Sequence, residues 1–322
     1  MRLTRKAVVV LMLATSAAGA WAQAWPSRTV RIIAPFSSGG TVDVLAREIA
    51  SRLSPAVGQQ VVVENRAGAN GQIGAEALAR APADGHTIGL LGTPHAAAGF
   101  VQKVPYDMFT DFTPVTLVAN VPSLLSVSAS LPVQTLRELV ALARERPGKL
   151  SYAHAGNLTA GHLAMELLRL QAKAEIVPVP YKGGGPALLG LVGGQVDALI
   201  IGPPAQLPHA RAGKLRPIAV ASPRRLAIMP DVPTIAESNV PGLTQTVTEW
   251  YGLFAPAKLP ADVLQRLNVE VLKVLAAADT RARFQSLGAE PLGGRPDELA
   301  GHVRIESERV GALIKELGLK GE

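Results

Sequence analysis

The sequence predicts an α/β protein of two domains, each built around a sheet rich in parallel strands. Short β-branched runs alternate with amphipathic helical patterns, which is typical of parallel sheets covered by helices. The alternation restarts near residue 135, and extended stretches at 111–129 and 245–257 are placed to cross between the halves. The chain has 322 residues, 48% of them apolar, so it can form two cores.

The first half predicts three strands with two helices between them. Strands are expected at 29–36, 59–65 and 86–92, since each is short, apolar and bounded by Pro, Gly or Asn. The helix at 42–53 places Val44, Leu45, Ile49 and Leu53 on one face, and a second helix is expected at 71–81. The stretch 111–129 follows, and we expect Pro122 to break it into two extended segments.

The second half repeats the pattern. After a helix near 135, strands are expected at 150–156, 175–181, 195–202 and 215–222, with helices at 161–172 and 184–194. Long helices are expected at 259–277 and 296–318, the second started by Pro296 and Asp297. We therefore divide the chain into a leader at 1–24, a first domain of 25–122 plus 245–322, and a second domain of 123–244, joined by hinge strands.

The first 24 residues are typical of a secretory signal peptide. Arg2, Arg5 and Lys6 precede a short apolar run, and small-x-small cleavage sites end near Ala22 and Ala24. An N-terminal anchor helix is the alternative, although the run is short for a membrane span. Export predicts an extracytoplasmic location, most simply a Gram-negative periplasm.

Charge and cysteine content exclude several classes of function. The leader carries three basic residues and no acid, so the mature chain has a formal charge of +4 rather than +7. No Lys/Arg-rich block remains, and we expect no nucleic-acid partner. The chain has no cysteine, which removes thiol catalysis and Cys–metal sites. A mild positive charge suits an anionic small molecule.

The turn "APFSSGGTVD" is the first candidate binding site, because it joins the first strand to the first helix. N–H groups at a helix start lack partners and attract anions. Gly39 and Gly40 allow close approach, and Ser37, Ser38 and Thr41 add hydroxyl groups. An ordinary turn capped by Thr41 or Ser38 remains the alternative.

Three further turns lie at comparable places. Gly156, Asn157 and Thr159 precede a helix that carries His162 and Glu166, Tyr181 and Lys182 precede three glycines, and Gly92 and Thr93 end the third strand. The His162–Glu166 spacing alone is a weak metal signal, and Lys182 can equally be a solvated turn residue. We expect no metal and no cofactor.

Catalytic signatures are missing from the sequence. It contains no GxSxG, HExxH, phosphate-loop or GxGxxG-after-strand motif. We therefore predict a binding protein rather than an enzyme. A hydrolase or isomerase using Ser37 or Ser38 with His95, His154 or His162 is one alternative. A sensor partner that presents a ligand to a membrane kinase is another.

The ordered set of segments also resembles a known family. "WPSRTVRIIAPFSSGGTVDVLAREIA", "VVVENRAGANGQIGAEALARAPADGHTIGLLGT", "VPYKGGGPALLGLVGGQVDALI" and "EWYGLFAPAKLPADVLQRLN" resemble the substrate-binding proteins of tripartite tricarboxylate transporters, the Bug receptors. The resemblance covers essentially the whole mature chain. It implies a periplasmic-binding-protein-like, Venus-flytrap fold that captures a small carboxylate between two domains.

The resemblance also implies site residues and partners. The first turn, Phe36 to Asp43, is expected to hold a ligand carboxylate, partly through waters. The opposing turn corresponds to Gly156–Thr159 and His162, while Tyr181 and Lys182 stand in the family's "PYKG" segment. A two-component inner-membrane permease is the implied partner, and we expect a monomer.

The chain departs from the family pattern in two places. Ser37 and Ser38 stand where the family usually has Ala or Pro, and Leu158 replaces a glycine of Gly-Asn-Gly-Ser. Leu158 removes a flexible glycine and adds bulk, which is expected to hinder a second carboxylate at this turn. A monocarboxylate and an aromatic acid are therefore open as ligands beside a dicarboxylate or tricarboxylate.

Overall fold

The first strand leads directly into the first helix, as the sequence predicts. A computed structural model of the protein describes residues 25–240 and 247–320. Strand β1 (Val30–Ala34) ends before Pro35, and helix α1 (Thr41–Val57) begins after Gly40. Leu45, Ile49 and Leu53 are fully buried, so the apolar stripe of α1 faces the sheet. The helix ends at Gly58, which has the left-handed φ of 69°.

The remaining elements follow the predicted alternation. The strands are β2 (Val61–Asn65), β3 (Thr87–Gly92), β4 (Phe112–Ser128), β5 (Leu150–His154), β6 (Ile176–Pro180), β7 (Ala198–Ile201), β8 (Leu215–Ala221), β9 (Thr248–Pro256) and β10 (Glu290–Pro291). The helices are α2 (Gln72–Ala79), α3 (Thr93–Ala97), α4 (Leu136–Glu145), α5 (Ala160–Ala172), α6 (Gly184–Val192), α7 (Pro203–Arg211), α8 (Ala261–Ala276), α9 (Ala278–Ser286) and α10 (Pro296–Leu317). The sequence pattern does not predict α3, α7 or α9 as helices.

The strands form two groups that share β4. In the first group β1 pairs with β2 and β3 in parallel, and β9 then joins β3 to β4 in antiparallel pairs. In the second group β5 pairs with β6 and β7 in parallel, while β7 and β8 pair with β4 in antiparallel fashion. The sheets are therefore mixed, with parallel strands at the outer positions and antiparallel strands at the shared centre.

Strand β4 corrects one expectation. The prediction that Pro122 breaks the stretch is wrong, because β4 is one continuous strand of 17 residues. Pro122 is the last residue paired with β9, opposite Thr248, and the pairing with β8 begins at Ser123. Proline lacks an N–H donor, so it is tolerated where the strand exchanges one partner for another.

The pairing defines two lobes. We call the first lobe β1–β3, β9, β10 and residues 112–122 of β4 with α1–α3, α8 and α9. The second lobe is residues 123–128 of β4 with β5–β8 and α4–α7. Helix α10 contacts both, since Leu299 and Val303 pack in a first-lobe core and Val310, Leu313 and Ile314 pack in the second. The exact domain boundaries stay a prediction.

The predicted leader, 1–24, lies outside the described residues. Among the residues that the structure does describe, none of the helices is both long enough and apolar enough to cross a bilayer.

Candidate functional site

The turn after β1 contacts the turn before α6, which belongs to the other lobe. The carbonyl oxygen of Lys182 accepts hydrogen bonds from the Ser37 backbone N–H (3.1 Å) and from Ser37 Oγ (2.9 Å). Gly40 lies against Gly184 so closely that a Cβ on Gly40 would be 3.1 Å from the Gly184 nitrogen. The glycines therefore allow two backbones to meet across the lobes.

A second contact crosses between the lobes at a 3₁₀ turn that follows β2. Asn70, in the turn Ala69–Gly71, donates a hydrogen bond from Nδ2 to the carbonyl oxygen of Asn157. A Cβ on Gly156 would clash with the Asn70 side chain. The lobes are thus held together on this side by the turn that the sequence singled out before α5.

A small cavity lies between these contacts and the central strands. Its volume is about 40 Å³, enough for about three water molecules. Both lobes contribute to its walls. Five of the predicted site residues line it: Phe36, Gly40, Thr41, Gly92 and Thr159. The other lining residues are Val42, Leu90, Pro94, His95, Ser123, Ala155, Gly161, Gly184, Ile200, Ile201, Gly202, Glu249 and Tyr251.

The N-terminus of α1 opens onto this cavity without a side-chain cap. Gly40 is the N-cap residue and no side chain bonds to the first N–H groups. Gly40, Thr41 and Val42, all lining residues, carry the amides at this end of the helix. These donors have no partner inside the helix, and the helix dipole adds partial positive charge there. The position therefore fits an anionic group.

Asp43 holds the shape of the first turn. Its Oδ2 accepts hydrogen bonds from the Gly39 N–H (3.0 Å) and from Arg47 Nε (3.1 Å), and Arg47 also pairs with Oδ1. Burial acts to raise the pKa of Asp43, but the hydrogen bonds from Arg47 and Gly39 hold that pKa below its ordinary value. Asp43 is thus ionised at neutral pH and neutralised by Arg47, and it does not line the cavity.

The turn before α5 uses most of its donors within the protein. Thr159 caps the helix by accepting from the His162 N–H, and its hydroxyl donates to the Gly156 carbonyl (2.8 Å). The N–H of Leu158 donates to His162 Nδ1 (3.2 Å). The N–H of Ala160 donates to Glu249 Oε2 (2.7 Å). The two turns therefore differ, because only the first presents an uncapped helix end.

His162 and Glu166 belong to a hydrogen-bonded cluster. Tyr152 donates to Glu166 Oε1 (2.6 Å), Arg169 pairs with the same carboxylate, and His162 Nε2 lies 4.0 Å from it. Burial lowers the pKa of His162 to about 4, with the Arg169 charge acting in the same direction. No group of three metal-ligating side chains occurs in the described part of the chain.

A larger, more open pocket holds other predicted residues. It has a volume of about 670 Å³ and is lined by Gly156, Asn157, His162, Tyr181 and Lys182, together with Lys103 and Lys320. The predicted set is therefore divided between two cavities. Ser37, Ser38, Gly39, Asp43 and Thr93 line neither of them.

The two departures from the family pattern have different surroundings. Ser37 binds the second lobe through Lys182, whereas Ser38 is exposed. Leu158 has a φ of 61°, and its side chain packs in the core of the second lobe. It lines the larger pocket and not the small cavity. The steric effect expected of Leu158 on the ligand therefore does not apply to the small cavity.

Three titratable residues of the small cavity were missed as binding candidates. His95 is 3% exposed, accepts from the Gly92 N–H at Nδ1 (3.1 Å), and has its pKa lowered to about 4 by burial. Tyr251 has a pKa raised by burial and by the neighbouring Glu249. Glu249 is the third. An acid within the apolar run "TEWYGLF" was the available signal.

The geometry gives no support to serine–histidine catalysis. Ser37 Oγ donates to a backbone carbonyl, His95 and His162 use Nδ1 as acceptors from backbone N–H groups, and His154 Nδ1 bonds to the Gly156 carbonyl. In the part of the chain that the structure describes, neither His95 nor His162 has a hydrogen bond to Ser37 or Ser38. A nucleophile and its base must be within reach of each other.

Comparison with known proteins identifies the family. The family model described as "Tripartite tricarboxylate transporter family receptor" matches residues 45–319. The chain belongs to this receptor family. Its members are binding proteins rather than enzymes, so the prediction of a binding protein is confirmed.

Solved structures of receptors show the same fold. The chain is 40% identical to Rpa4515 of Rhodopseudomonas palustris, solved with adipate, at a TM-score of 0.89 over 92% of this chain and 99% of that one. It is 33% identical to the periplasmic binding protein BugD, with a TM-score of 0.87 over 92% and 100%. MatC of R. palustris, solved with malate, is 34% identical with a TM-score of 0.83 over 90% and 100%. The predicted α/β, periplasmic-binding-protein-like fold is thereby confirmed.

Proposed function

We propose that this receptor captures a small carboxylate in the cavity between its lobes and delivers it to a two-component permease of the inner membrane. The uncapped N-terminus of α1, opening onto a cavity between the lobes, carries the proposal. The adipate and malate found in the related structures support the ligand class.

The proposed contacts follow from the two turns. The carboxylate oxygens accept from the amides of Gly40, Thr41 and Val42, and Thr159 closes the cavity from the second lobe. Hydrogen bonds to a charged group are worth about 1.5–3 kcal/mol each. Three or four of them reach the scale of micromolar affinity, about 8 kcal/mol.

Closure completes the site, because each lobe supplies only part of the wall. The Ser37–Lys182 and Asn70–Asn157 contacts join the lobes when the site is closed. The boundaries proposed for the two domains are 25–122 plus 245–322 and 123–244. A ligand that contacts both domains binds the closed form better and so shifts the balance toward it.

Location and partners complete the proposal. The leader at 1–24 directs the chain to the periplasm, where it acts as a monomer. The permease recognises the closed form of the receptor. The larger pocket is formed in part by four of the predicted site residues: Asn157, His162, Tyr181 and Lys182.

The test is a calorimetric screen of the wild type against monocarboxylates, dicarboxylates, citrate and benzoate. At least one acid should bind with micromolar affinity. Gly40→Val should abolish this binding, since its Cβ would crowd the Gly184 backbone and the side chain would fill the cavity. Gly301→Val is the matched control, because a Cβ at Gly301 meets nothing within 4 Å. Wild-type affinity in the Gly40 variant would contradict the proposal.

A further inference from the structure

Glu249 touches both lobes at the centre of the molecule. It lies on β9, opposite Val121 of β4, and is 8% exposed. Its Oε2 accepts from the N–H of Ala160, the first residue of α5 in the second lobe (2.7 Å). Its Oε1 is beside the first lobe, since a Cβ built on Gly92 would be 3.3 Å away. The carboxylate therefore spans the junction that forms the cavity.

The second oxygen of this carboxylate has no hydrogen bond within the part of the chain that the structure describes. Thr93, which is 1% exposed, lies near enough for its N–H and hydroxyl to favour the charged carboxylate, yet its Oγ1 is also unpaired. Buried polar atoms normally have partners. Glu249 lines the small cavity, so its Oε1, an acceptor without a hydrogen bond of its own, can take a donor from outside the protein.

The charges around Glu249 do not supply that donor. No Lys or Arg is among the residues that line the small cavity, and the only other titratable residues there are His95 and Tyr251. Glu306, on α10, adds a further negative charge at longer range. Burial raises the pKa of Glu249 to about 7, although the Ala160 and Thr93 groups act to lower it. An ionised Glu249 repels a second carboxylate and attracts a donor.

We propose that Glu249 is a specificity-determining residue whose Oε1 accepts a hydrogen bond from a hydroxyl or ammonium group on the ligand. The receptor would then prefer hydroxy- or amino-substituted carboxylates to the unsubstituted acid with the same carbon skeleton. This inference rests on the proposed function, since the ligand's carboxylate is taken to occupy the N-terminus of α1.

The test compares acids that differ by one substituent. The carbon skeleton of the acid that binds best in the screen determines which acids are compared. For a four-carbon diacid the probes are succinate, malate and aspartate. At pH 8.5 the wild type should bind a substituted acid at least about tenfold more tightly than the unsubstituted one, since an unpaired buried acceptor is costly. A larger gain for malate assigns the donor as hydroxyl, and a larger gain for aspartate assigns it as ammonium.

Glu249→Gln keeps the shape of the side chain but replaces the hydrogen-bond acceptor that faces the cavity with a donor. The amide oxygen must stay with the Ala160 N–H, so the NH₂ group replaces Oε1 and presents a donor to the cavity. This variant should lose the tenfold preference and bind the unsubstituted diacid more tightly than the wild type does. Glu306→Gln is the control, because Glu306 does not line the cavity, and it should keep the preference.

A pH comparison separates this role from a merely structural one. The preference of the wild type should shrink at pH 5.5, where Glu249 is protonated, and that of Glu249→Gln should not change. Burial lowers the pKa values of His95 and His162 to about 4, and that of His302 is lowered, so these rings do not gain charge in step with Glu249.

The outcomes are distinguishable. Equal affinity for succinate, malate and aspartate, unaffected by Glu249→Gln, would overturn this inference and leave the proposed function standing. If no carboxylate binds the wild type at all, the proposed function fails and this inference fails with it.

Discussion

Replacing Gly185 with alanine should hold the two lobes apart. Gly185 is in the first turn of α6, and a Cβ there would be 3.2 Å from the carbonyl carbon of Ser38 and would clash with its oxygen. The obstacle is backbone, which cannot rotate away as a side chain can. Since Ser38 belongs to the first lobe and Gly185 to the second, the clash exists only in the closed form.

The size of the effect follows from the contacts that are lost. The lobes would have to separate enough to break both Ser37–Lys182 hydrogen bonds and to strain the one between Asn70 and Asn157. The Ser37 bonds are partly exposed, so we take about 0.5 kcal/mol for each and about 1 kcal/mol for the third. A loss of about 2 kcal/mol corresponds to about thirtyfold weaker binding.

Small-angle scattering and calorimetry test this together. The wild type should become more compact when a binding acid is added, and Gly185→Ala should remain expanded and bind about thirtyfold more weakly. Gly301→Ala should behave as the wild type, since its Cβ would meet nothing within 4 Å. Full compaction and unchanged affinity in Gly185→Ala would refute closure through this contact.

Three further predictions concern stability and affinity. The unfolding free energy should fall as the pH drops from 6.5 to 4, by up to about 3 kcal/mol for each of His95 and His162, because the unfolded rings take up protons that the buried ones do not. Glu249 has a raised pKa, so its protonation between pH 7 and 4.5 increases the unfolding free energy by about as much as one histidine decreases it. The two histidines together outweigh it, so an unfolding free energy that stays constant with pH in urea denaturation would contradict their burial. Thr159→Val should lower the free energy of unfolding by about 1 kcal/mol, since it removes the N-cap hydrogen bond of α5. An unchanged denaturation midpoint would show that this cap does not stabilise the protein. Asn70→Ala should weaken ligand binding about fivefold in calorimetry through loss of its bond to the second lobe, and equal affinity would show that this contact does not stabilise closure.

Local patterns in the sequence were sufficient for the first strand, turn and helix. The β-branched run at 30–34, Pro35 after it and the spacing of Leu45, Ile49 and Leu53 each determine structure within a few residues. The same holds for the long helix α10, which begins at Pro296 as predicted. Pro122 misled the prediction because its effect depends on which strand is paired at that point, and pairing is set by distant residues.

The candidate site could be predicted only in part for the same reason. Ser37 and Lys182 are 145 positions apart, and nothing local shows that the hydroxyl of Ser37 serves the other lobe and not the ligand. The division of the predicted residues between two cavities likewise depends on how the lobes meet. Glu249 was missed because a single acid in a strand gives no pattern, and its significance comes from Ala160, 89 residues away.

A crystal structure of the wild type with its tightest-binding acid would show which part of the protein holds the carboxylate. We expect it within hydrogen-bonding distance, about 3 Å, of the amides of Gly40, Thr41 or Val42, enclosed by both lobes. An acid found instead among Lys103, Lys182 and Lys320 in the larger pocket, with the N-terminus of α1 covered by protein, would contradict it.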